Sequence, residues 1–357
     1  MEENKQHKTA LPETEPIPSA QAPEALLDIR GLRVEYHTDE DVVYAVNGLD
    51  LTIGKGESLG LVGETGAGKT TTALSVLRLI ADPPGKIMGG EIWFEGEDML
   101  QAKPARLREI RGSKISVIFQ DPMTSLNPVY SVGDQIAEVI HQHEKCSKEE
   151  GRRKAGDMLE MVGIPRARYD EYPHQFSGGM KQRVVIAMSI ACSPELILAD
   201  EPTTALDVTI QAQVLELMNE LKEKLRTSLL LITHDLGVVA QVCDRVAIMY
   251  AGEIVESGTI AEVFDHPHHP YTIGLFGSIP SLDETAEKLK PIQGQMPDPT
   301  ELPEGCAFAP RCPYATGACR TRKPEMTSVG GTQMVRCLAH QGVFESPELM
   351  EEVRHGR

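Results

Sequence analysis

The sequence predicts an α/β fold with a buried parallel sheet, and three observations support this prediction. Residues Gly63–Thr70 read GETGAGKT, a G-x-x-x-x-G-K-T loop, and a short apolar run, Ser58–Val62, precedes it. Helical periodicity follows over Thr70–Ile80, so the strand, loop and helix that the motif requires are all present. Two further runs, Leu196–Ala199 and Leu229–Ile232, are apolar on both faces, as the central strands of a parallel sheet are.

The glycine loop predicts a site for a nucleoside triphosphate. Gly63, Gly66 and Gly68 can adopt backbone angles closed to other residues and leave room for a ligand. Their N–H groups would face one anion, Lys69 would reach the β- and γ-phosphates, and the Thr70 hydroxyl would bind Mg²⁺. The predicted nucleotide contacts of the loop are Gly63, Glu64, Thr65, Gly66, Ala67, Gly68, Lys69, Thr70 and Thr71. A tight turn before an ordinary helix is the alternative, and the strand–loop–helix context argues against it.

Length and composition limit the class of protein. The 357 residues have room for one large α/β domain and an appendage. A formal net charge of −18 argues against an extended DNA- or RNA-binding face. No apolar run approaches the length that spans a bilayer, and the N-terminus lacks the apolar region of a secretion signal, so we expect a cytosolic location. In that reducing setting, the seven cysteines are expected to be thiols or metal ligands rather than disulfides.

The first part of the chain predicts a tail and an antiparallel pair of strands. Residues 1–24, which are rich in Glu and Pro and lack a hydrophobic period, are expected to be disordered. Leu27–Val34 and Val42–Ile53 alternate as antiparallel strands do, with a turn at Thr38–Asp41. Tyr36, at the end of the first run, is either a half-buried aromatic of the sheet or a platform for a purine ring.

A helical insertion is predicted inside the α/β domain. Ile115–Phe119 has the pattern of a buried strand and ends in Gln120. Val132–His143 and Lys148–Val162 then show helical periodicity, with few strand signals between or after them. We place this helical subdomain at about residues 121–176.

A second glycine-flanked helix start follows at Phe176–Met180, FSGGM. Ser177 is a natural N-cap for the helix predicted over Lys181–Cys192, and Gly178 and Gly179 leave backbone N–H groups bare. On these residues alone, a capped helix start is the simpler interpretation. One nucleotide motif and two anion-binding helix starts in the same chain nevertheless indicate that the second start serves a nucleotide held by another subunit.

Two acids and a histidine follow apolar runs, at the edge where parallel sheets bind their ligands. Asp200 and Glu201 end the run LILADE. Asp200 suits Mg²⁺, and Glu201 suits orienting or deprotonating an attacking water. His234 follows the run LLLIT; a lone histidine is usually structural, but this position favours a role at a phosphate. A hairpin-like pair of strands over residues 244–257 closes the domain.

Together these motifs resemble, in order and spacing, those of the ATP-binding subunits of ABC transporters over Leu26 to about Asp265. GETGAGKT is similar to Walker A, Gln120 to the Q-loop glutamine and FSGGM to the signature motif. LILADE is similar to Walker B, TALD to the D-loop and His234 to the switch histidine. Phe176, Met180 and Thr204 replace the usual Leu, Gln and Ser; the first two replacements are familiar among peptide-transport members.

The resemblance implies a P-loop NTPase over residues 25–265, with a RecA-like parallel core, an antiparallel β subdomain and a helical subdomain. The catalytic residues that it implies are Glu201, His234, Gln120 and Lys69. The nucleotide contacts that it implies beyond the loop are Tyr36, which would stack on adenine, and Ser177, Gly178, Gly179 and Asp207. The Mg²⁺ ligands that it implies are Thr70, Gln120 and Asp200.

The resemblance also implies a mechanism. Two such subunits pair head to tail, and ATP lies between the Walker A loop of one and the signature loop of the other. Closure needs both γ-phosphates, hydrolysis reopens the pair, and the helical insertion passes this motion to membrane subunits.

The residues after Asp265 narrow the resemblance to the ATPases of oligopeptide and dipeptide importers. HPHHPYT and a later set of cysteines are similar to the C-terminal extension of that group, which we place at 266–345, with a tail at 346–357. The region has little apolar material for a core, and a bound metal would compensate. Four thiolates suit either a [4Fe–4S] cluster or tetrahedral zinc, although the paired C-x2-C knuckles of zinc sites are absent. The resemblance favours the cluster, and zinc, free thiols and disulfides are the alternatives. The cysteines are Cys306, Cys312, Cys319 and Cys337.

The sequence therefore predicts the ATPase subunit of a peptide-importing ABC transporter, with ATP, Mg²⁺ and a [4Fe–4S] cluster as its cofactors. The expected partners are a paralogous ATPase or a second copy, two transmembrane permease subunits and an extracytoplasmic peptide-binding protein, without nucleic acid. The expected location is the cytoplasmic face of the cell membrane. The alternatives are an importer of nickel or another small solute and, from a different class, a soluble ABC ATPase of DNA repair or translation.

Overall fold

Two β-sheets organise the chain in the computed structural model, which describes residues 25–204, 206–278 and 292–355. The tail predicted over residues 1–24 lies outside these ranges. The strands are β1 Ala25–His37, β2 Val42–Gly54, β3 Ser58–Val62, β4 Gly85–Phe94, β5 Glu97–Asp98, β6 Ile115–Ile118, β7 Leu196–Asp200, β8 Ser228–Thr233, β9 Arg245–Tyr250, β10 Glu253–Thr259, β11 Thr327–Gly330 and β12 Gln333–Val335. The helices are α1 Lys69–Val76, α2 Pro104–Ile110, α3 Pro122–Ser125, α4 Val132–His143, α5 Lys148–Met161, α6 Gly178–Ile190, α7 Val208–Leu225, α8 Leu236–Val242, α9 Ile260–Asp265, α10 Pro270–Gly277, α11 Gly317–Thr321 and α12 Pro347–His355.

The larger sheet has the strand order β11-β12-β10-β9-β3-β8-β7-β6. The strands from β6 to β9 run parallel, as the apolar runs predict. Residues on one face of this core, such as Leu61 and Leu230, are buried in the same cluster as the smaller sheet and α1. Residues on the other face, such as Leu229 and Leu231, are buried with α6, α7 and α8. Because both faces are covered, β3, β7 and β8 carry polar side chains only at their ends.

The smaller sheet has the order β2-β1-β4-β5 and is antiparallel throughout, as the alternation of the first two strands predicts. Its apolar face, including Leu27, Leu49 and Ile92, packs against the large sheet. This places Tyr36, near the end of β1, beside helix α1, where its hydroxyl lies 3.2 Å from that of Thr71.

The described residues between β6 and β7 contain helices and no strands. Helix α4 has the predicted bounds, and Ser131 caps it by accepting a hydrogen bond from the N–H of Asp134. Helix α6 begins at Gly178 rather than at Lys181, because Ser177 caps it through the N–H of Met180. Helix α1 ends at Val76 rather than at Ile80, and Arg78 adopts a φ of 50°, which ends the helical path.

The C-terminal residues contribute two strands to the large sheet. Strand β12 pairs antiparallel with β10, and β11 pairs with β12. Residues 346–357 are not simply a tail, because helix α12 covers much of them and Leu349 is fully buried. The apolar side chain of Leu349 supplies part of the core that the cysteine-rich segment lacks on its own.

Glu256 of β10 is a fully buried acid that links three parts of this region. One carboxyl oxygen accepts hydrogen bonds from the N–H of His268 at 2.7 Å and from the amide of Gln333 at 2.8 Å. The other accepts from the N–H of His269 at 2.9 Å. Burial raises the pKa of Glu256 to about 7, although these hydrogen bonds favour the ionised form.

This raised pKa predicts how stability changes with pH. The folded protein keeps a proton on Glu256 that the unfolded chain, with a pKa of 4.5, releases. Rising pH should therefore remove stability between about pH 4.5 and pH 7. We expect the Tm of the wild type, relative to that of Glu256→Gln, to fall as the pH rises from about 5 to about 8 in calorimetry. Glu325→Gln, at an exposed acid, should show no such trend, and a pH-independent difference for Glu256→Gln would contradict the prediction.

Candidate nucleotide-binding and hydrolysis site

Four adjacent parallel strands end at one edge of the large sheet. The register pairs Val62 with Thr233 and Ile232 with Asp200. It also pairs Ala199 with Ile118. The residues that follow these strand ends therefore lie side by side. This brings together the glycine loop after β3, Glu201 after β7, His234 after β8 and Gln120 after β6.

The glycines of the loop are required by close approaches of backbone. A Cβ at Gly63 would lie 2.2 Å from the carbonyl oxygen of Met249, and one at Gly68 would lie 2.3 Å from that of Ala45. Gly66 and Gly68 also have φ angles of 85° and 102°, which side chains disfavour. The loop is thus pressed against the sheet.

Lys69 lies inside the loop and is buried. Its ammonium donates hydrogen bonds to the carbonyl oxygens of Gly63 at 2.7 Å and Glu64 at 3.0 Å. Burial lowers the pKa of Lys69, and the charges of Glu201, Asp200 and Glu64 oppose that shift. The ammonium of Lys69 is therefore shielded from water and lies where an anionic ligand would bind the loop.

Thr70 and Asp200, two of the three residues predicted to bind Mg²⁺, contact each other directly. The Thr70 hydroxyl donates to a carboxyl oxygen of Asp200 at 2.7 Å, across the gap between α1 and β7. Burial raises the pKa of Asp200, while the hydrogen bond from Thr70 lowers it. A hydroxyl and a carboxylate oxygen at this distance fit the oxygen ligands that Mg²⁺ prefers.

Glu201 is held by three side chains. One carboxyl oxygen accepts from the Gln120 amide at 2.9 Å and from the Thr204 hydroxyl at 2.9 Å, and the other lies 3.2 Å from Nδ1 of His234. Burial opposes ionisation, but the hydrogen bonds from His234 and Thr204 outweigh it, and the net pKa of Glu201 is lowered. Glu201 also has a φ of 46°, a backbone strain of the kind found at functional sites.

The second glycine-flanked helix start does not meet the loop within this chain. In the described residues, no hydrogen bond joins Ser177, Gly178 or Gly179 to the glycine loop. A Cβ at Gly179 would instead lie 2.3 Å from a methyl group of Ile210. Asp207 is exposed and caps α7 through the N–H of Ile210 at 3.0 Å.

The four C-terminal cysteines line one small apolar cavity, together with side chains that include Phe308 and Leu349. None forms a disulfide. Burial raises the pKa of Cys306, that of Cys312 to about 12 and that of Cys337 to about 11. Over residues 25–204, 206–278 and 292–355, no group of three or more His, Cys, Asp or Glu side chains is arranged to hold a metal ion. The thiols therefore share a cavity without forming a ligand set.

Sequence reasoning missed three residues of this site. Thr204, noted only as a departure from Ser, donates to the carboxylate of Glu201. Arg311 and Tyr271 come from the C-terminal third of the chain and bind Glu64. No local motif marks a contact between residues so distant in sequence, although HPHHPYT and the cysteines had drawn attention to both segments.

Fold and site define an ATP-binding cassette of the ABC type. The chain matches a solved dimeric structure titled a post-hydrolysis state of the ATP-binding cassette MJ0796 bound to ADP and Pi. The TM-score is 0.59 at 28% sequence identity, over 66% of this chain and 98% of that one. The ABC transporter family profile matches residues 46–204, and the profile of the oligopeptide/dipeptide transporter C-terminal region matches residues 255–319.

Curated relatives narrow this class. The oligopeptide transport ATP-binding protein AppD of Bacillus subtilis (strain 168) is 49% identical over 318 residues, which are 88% of this chain and 97% of AppD. The oligopeptide protein OppD of that strain is 51% identical over 87% of this chain and 88% of OppD. The dipeptide protein DppD is 48% identical over 88% of this chain and 94% of DppD. The chain belongs to the ATP-binding subunit family of oligopeptide and dipeptide ABC transporters.

The close packing at Gly63 provides a test of whether the glycine loop binds ATP. Gly63→Ala should weaken ATP binding about tenfold or more, because overpacking costs on the order of 1–3 kcal/mol and here displaces the loop itself. Gly89→Ala is the matched control, since nothing lies within 4 Å of a Cβ there. The measurement is calorimetric titration of each purified variant with a non-hydrolysable ATP analogue. Equal affinity in Gly63→Ala and the wild type would contradict the geometry.

Proposed function

We infer that this chain is the ATP-hydrolysing subunit that powers import of oligopeptides or dipeptides through an ABC transporter. The observation that carries this conclusion is Glu201, held by Gln120, Thr204 and His234 at the same sheet edge as the glycine loop. The named relatives are peptide-transport ATP-binding proteins.

The residues of the site supply positioning and charge, which are the main requirements of phosphoryl transfer. The lowered pKa of Glu201 keeps its carboxylate ionised near neutral pH, so it can accept a hydrogen bond from an attacking water. Lys69 would neutralise charge on the β- and γ-phosphates once its bonds to the loop carbonyls are exchanged. His234 would contact the γ-phosphate from the neighbouring strand end. Magnesium would be held by Thr70, Asp200 and Gln120, and would neutralise further charge on the phosphates.

A head-to-tail pair of subunits gives the second helix start its role. Ser177, Gly178 and Gly179 open a helix of 13 residues, whose N-terminus favours an anion. Since no hydrogen bond among the described residues joins them to the glycine loop of their own chain, we assign them, with Asp207, to the nucleotide of a partner. That partner is a paralogous ATPase or a second copy.

Each segment of the chain is assigned a separate role. We assign ATP hydrolysis to residues 25–265, with the segment at 121–176 facing the membrane subunits, and a family-specific accessory role to 266–345.

No helix in the described part of the chain is both long and apolar enough to cross a bilayer. From the named peptide-transport relatives, we propose two permease subunits and an extracytoplasmic peptide-binding protein as partners, and the cytoplasmic face of the membrane as the location.

Two other functions are less well supported. An importer of nickel or another small solute would use the same ATPase chemistry, but the named relatives are peptide transporters. A soluble ABC ATPase of DNA repair or translation does not account for the match to the transporter C-terminal region.

Removing the carboxylate of Glu201 tests the proposed hydrolysis. Glu201→Gln should keep ATP binding, lower phosphate release at least about a hundredfold and accumulate an ATP-bound dimer. The measurements are phosphate release and size-exclusion chromatography with ATP. Glu216→Gln, at an exposed acid of α7, is the matched control. Full turnover by Glu201→Gln would refute the role of Glu201.

We also propose that the cysteine cavity holds a [4Fe–4S] cluster, with Cys306, Cys312, Cys319 and Cys337 as its ligands. Support comes from the convergence of four thiols on one cavity in a segment with a small core of its own. Binding would require the thiols to lose their protons and move together, because burial raises the pKa values of Cys306, Cys312 and Cys337 and because the thiols are not arranged as a ligand set.

Protein purified without oxygen should be brown, absorb near 400 nm and contain about four iron atoms per chain. Cys319→Ser should lose the colour and the iron, whereas Cys192→Ser, outside the cavity, should keep both. A colourless preparation that contains zinc but no iron would show that the cavity binds zinc. A preparation without metal would show that the four cysteines bind no cluster.

A further inference from the structure

An acid stands at the second position of the phosphate-binding loop. Glu64 follows Gly63, and its carboxylate acts electrostatically on the Lys69 ammonium. A negative charge at a loop that binds a polyanion opposes binding, by an amount that grows as solvent is excluded. A cation beside Glu64 would cancel this unfavourable charge.

Arg311, from the C-terminal segment, is that cation. Its Nη1 lies 3.0 Å from both carboxyl oxygens of Glu64. The Arg311 side chain is only 6% exposed, whereas that of Glu64 is 31% exposed. The carbonyl oxygen of Gln293 accepts from Nε of Arg311 at 3.1 Å, and Tyr250 and Phe308 place their rings 5.8 and 6.0 Å from its guanidinium. The guanidinium is thus fixed before any ligand arrives.

Two more C-terminal side chains hold the same loop. The Tyr271 hydroxyl accepts a hydrogen bond from the backbone N–H of Glu64 at 3.1 Å, and Tyr271 is fully buried. Its ring packs against that of Tyr250, with centroids 4.7 Å apart. The terminal methyl of Met296 lies 3.1 Å from where a Cβ of Gly66 would be. The C-terminal segment therefore contacts the side chain and the backbone of the loop.

We propose that Arg311 and Tyr271 are positioning residues for the nucleotide: Arg311 neutralises Glu64 and Tyr271 fixes the backbone of the loop. The C-terminal segment is on this account part of the nucleotide site. The inference rests on the proposed function only in taking ATP as the ligand of the loop.

A purely structural role is the competing explanation, in which Arg311 only fastens the C-terminal segment to the cassette. Lys323 makes such a fastening contact, an ion pair with Glu253 at 3.3 Å on the same segment but away from the loop. Lys323→Gln therefore removes a fastening ion pair without changing the charge at the loop. It is the matched control.

The test measures binding of a non-hydrolysable ATP analogue with Mg²⁺ to the purified full chain, by calorimetric titration, in Arg311→Gln, Glu64→Gln, the double variant and Lys323→Gln. Arg311→Gln leaves a carboxylate unpaired at the loop and should weaken binding about tenfold. Glu64→Gln removes that charge and should tighten binding about threefold. The double variant should return to within about threefold of the wild type, and Lys323→Gln should match the wild type.

The rescue separates the two explanations, because a fastening role predicts that the double variant binds no better than Arg311→Gln. That result, or an unchanged affinity in Arg311→Gln, would overturn the proposal. If Arg311→Gln does not fold, as judged by thermal unfolding, Glu64→Gln decides alone: tighter binding supports neutralisation, and unchanged or weaker binding refutes it. A wild-type chain that binds no nucleotide would refute the proposed function instead.

Discussion

The parallel hydrogen-bonded ladder of β3, β8, β7 and β6 is the constraint on which the rest of the structure depends. Because the strands run in one direction, their carboxyl ends meet at one edge. The loop, the Thr70–Asp200 pair, Glu201 and His234 lie together only because of that alignment. A slip of β7 by one residue would turn Asp200 to the opposite face of the sheet.

Charge is balanced locally at this edge. Lys69 is buried among carbonyl oxygens and faces Asp200 and Glu201, while the charge of Glu64 is met by Arg311. Each ion is held by bonds that exist without a ligand, and Lys69 would exchange its bonds to the loop carbonyls for bonds to the phosphates. His234 and Gln120 are exposed to solvent, and their side chains are held mainly by their contacts with Glu201.

The C-terminal segment shares its core with the cassette. Phe308 lines the cysteine cavity and packs against Tyr250 and Tyr271, and Tyr271 holds the loop. One aromatic cluster therefore connects the lining of the cavity with the loop. Glu256 of β10 also links the C-terminal segment to the cassette, because its buried carboxylate accepts hydrogen bonds from backbone N–H groups of that segment.

The sequence by itself determined the elements and most of the site. The strand–loop–helix around GETGAGKT, the apolar strands and the helical insertion are local patterns, and spacing alone placed Asp200, Glu201 and His234 at strand ends. The tertiary structure was needed to show that β11 and β12 extend the large sheet, that Pro347–His355 form a helix with Leu349 buried, and that Arg311 and Tyr271 support Glu64. The contacts of Tyr271 and Arg311 with Glu64 join residues that are 207 and 247 positions apart. Pairing across such distances depends on how two sheets and a shared core pack, and no periodicity or motif in either segment encodes its partner.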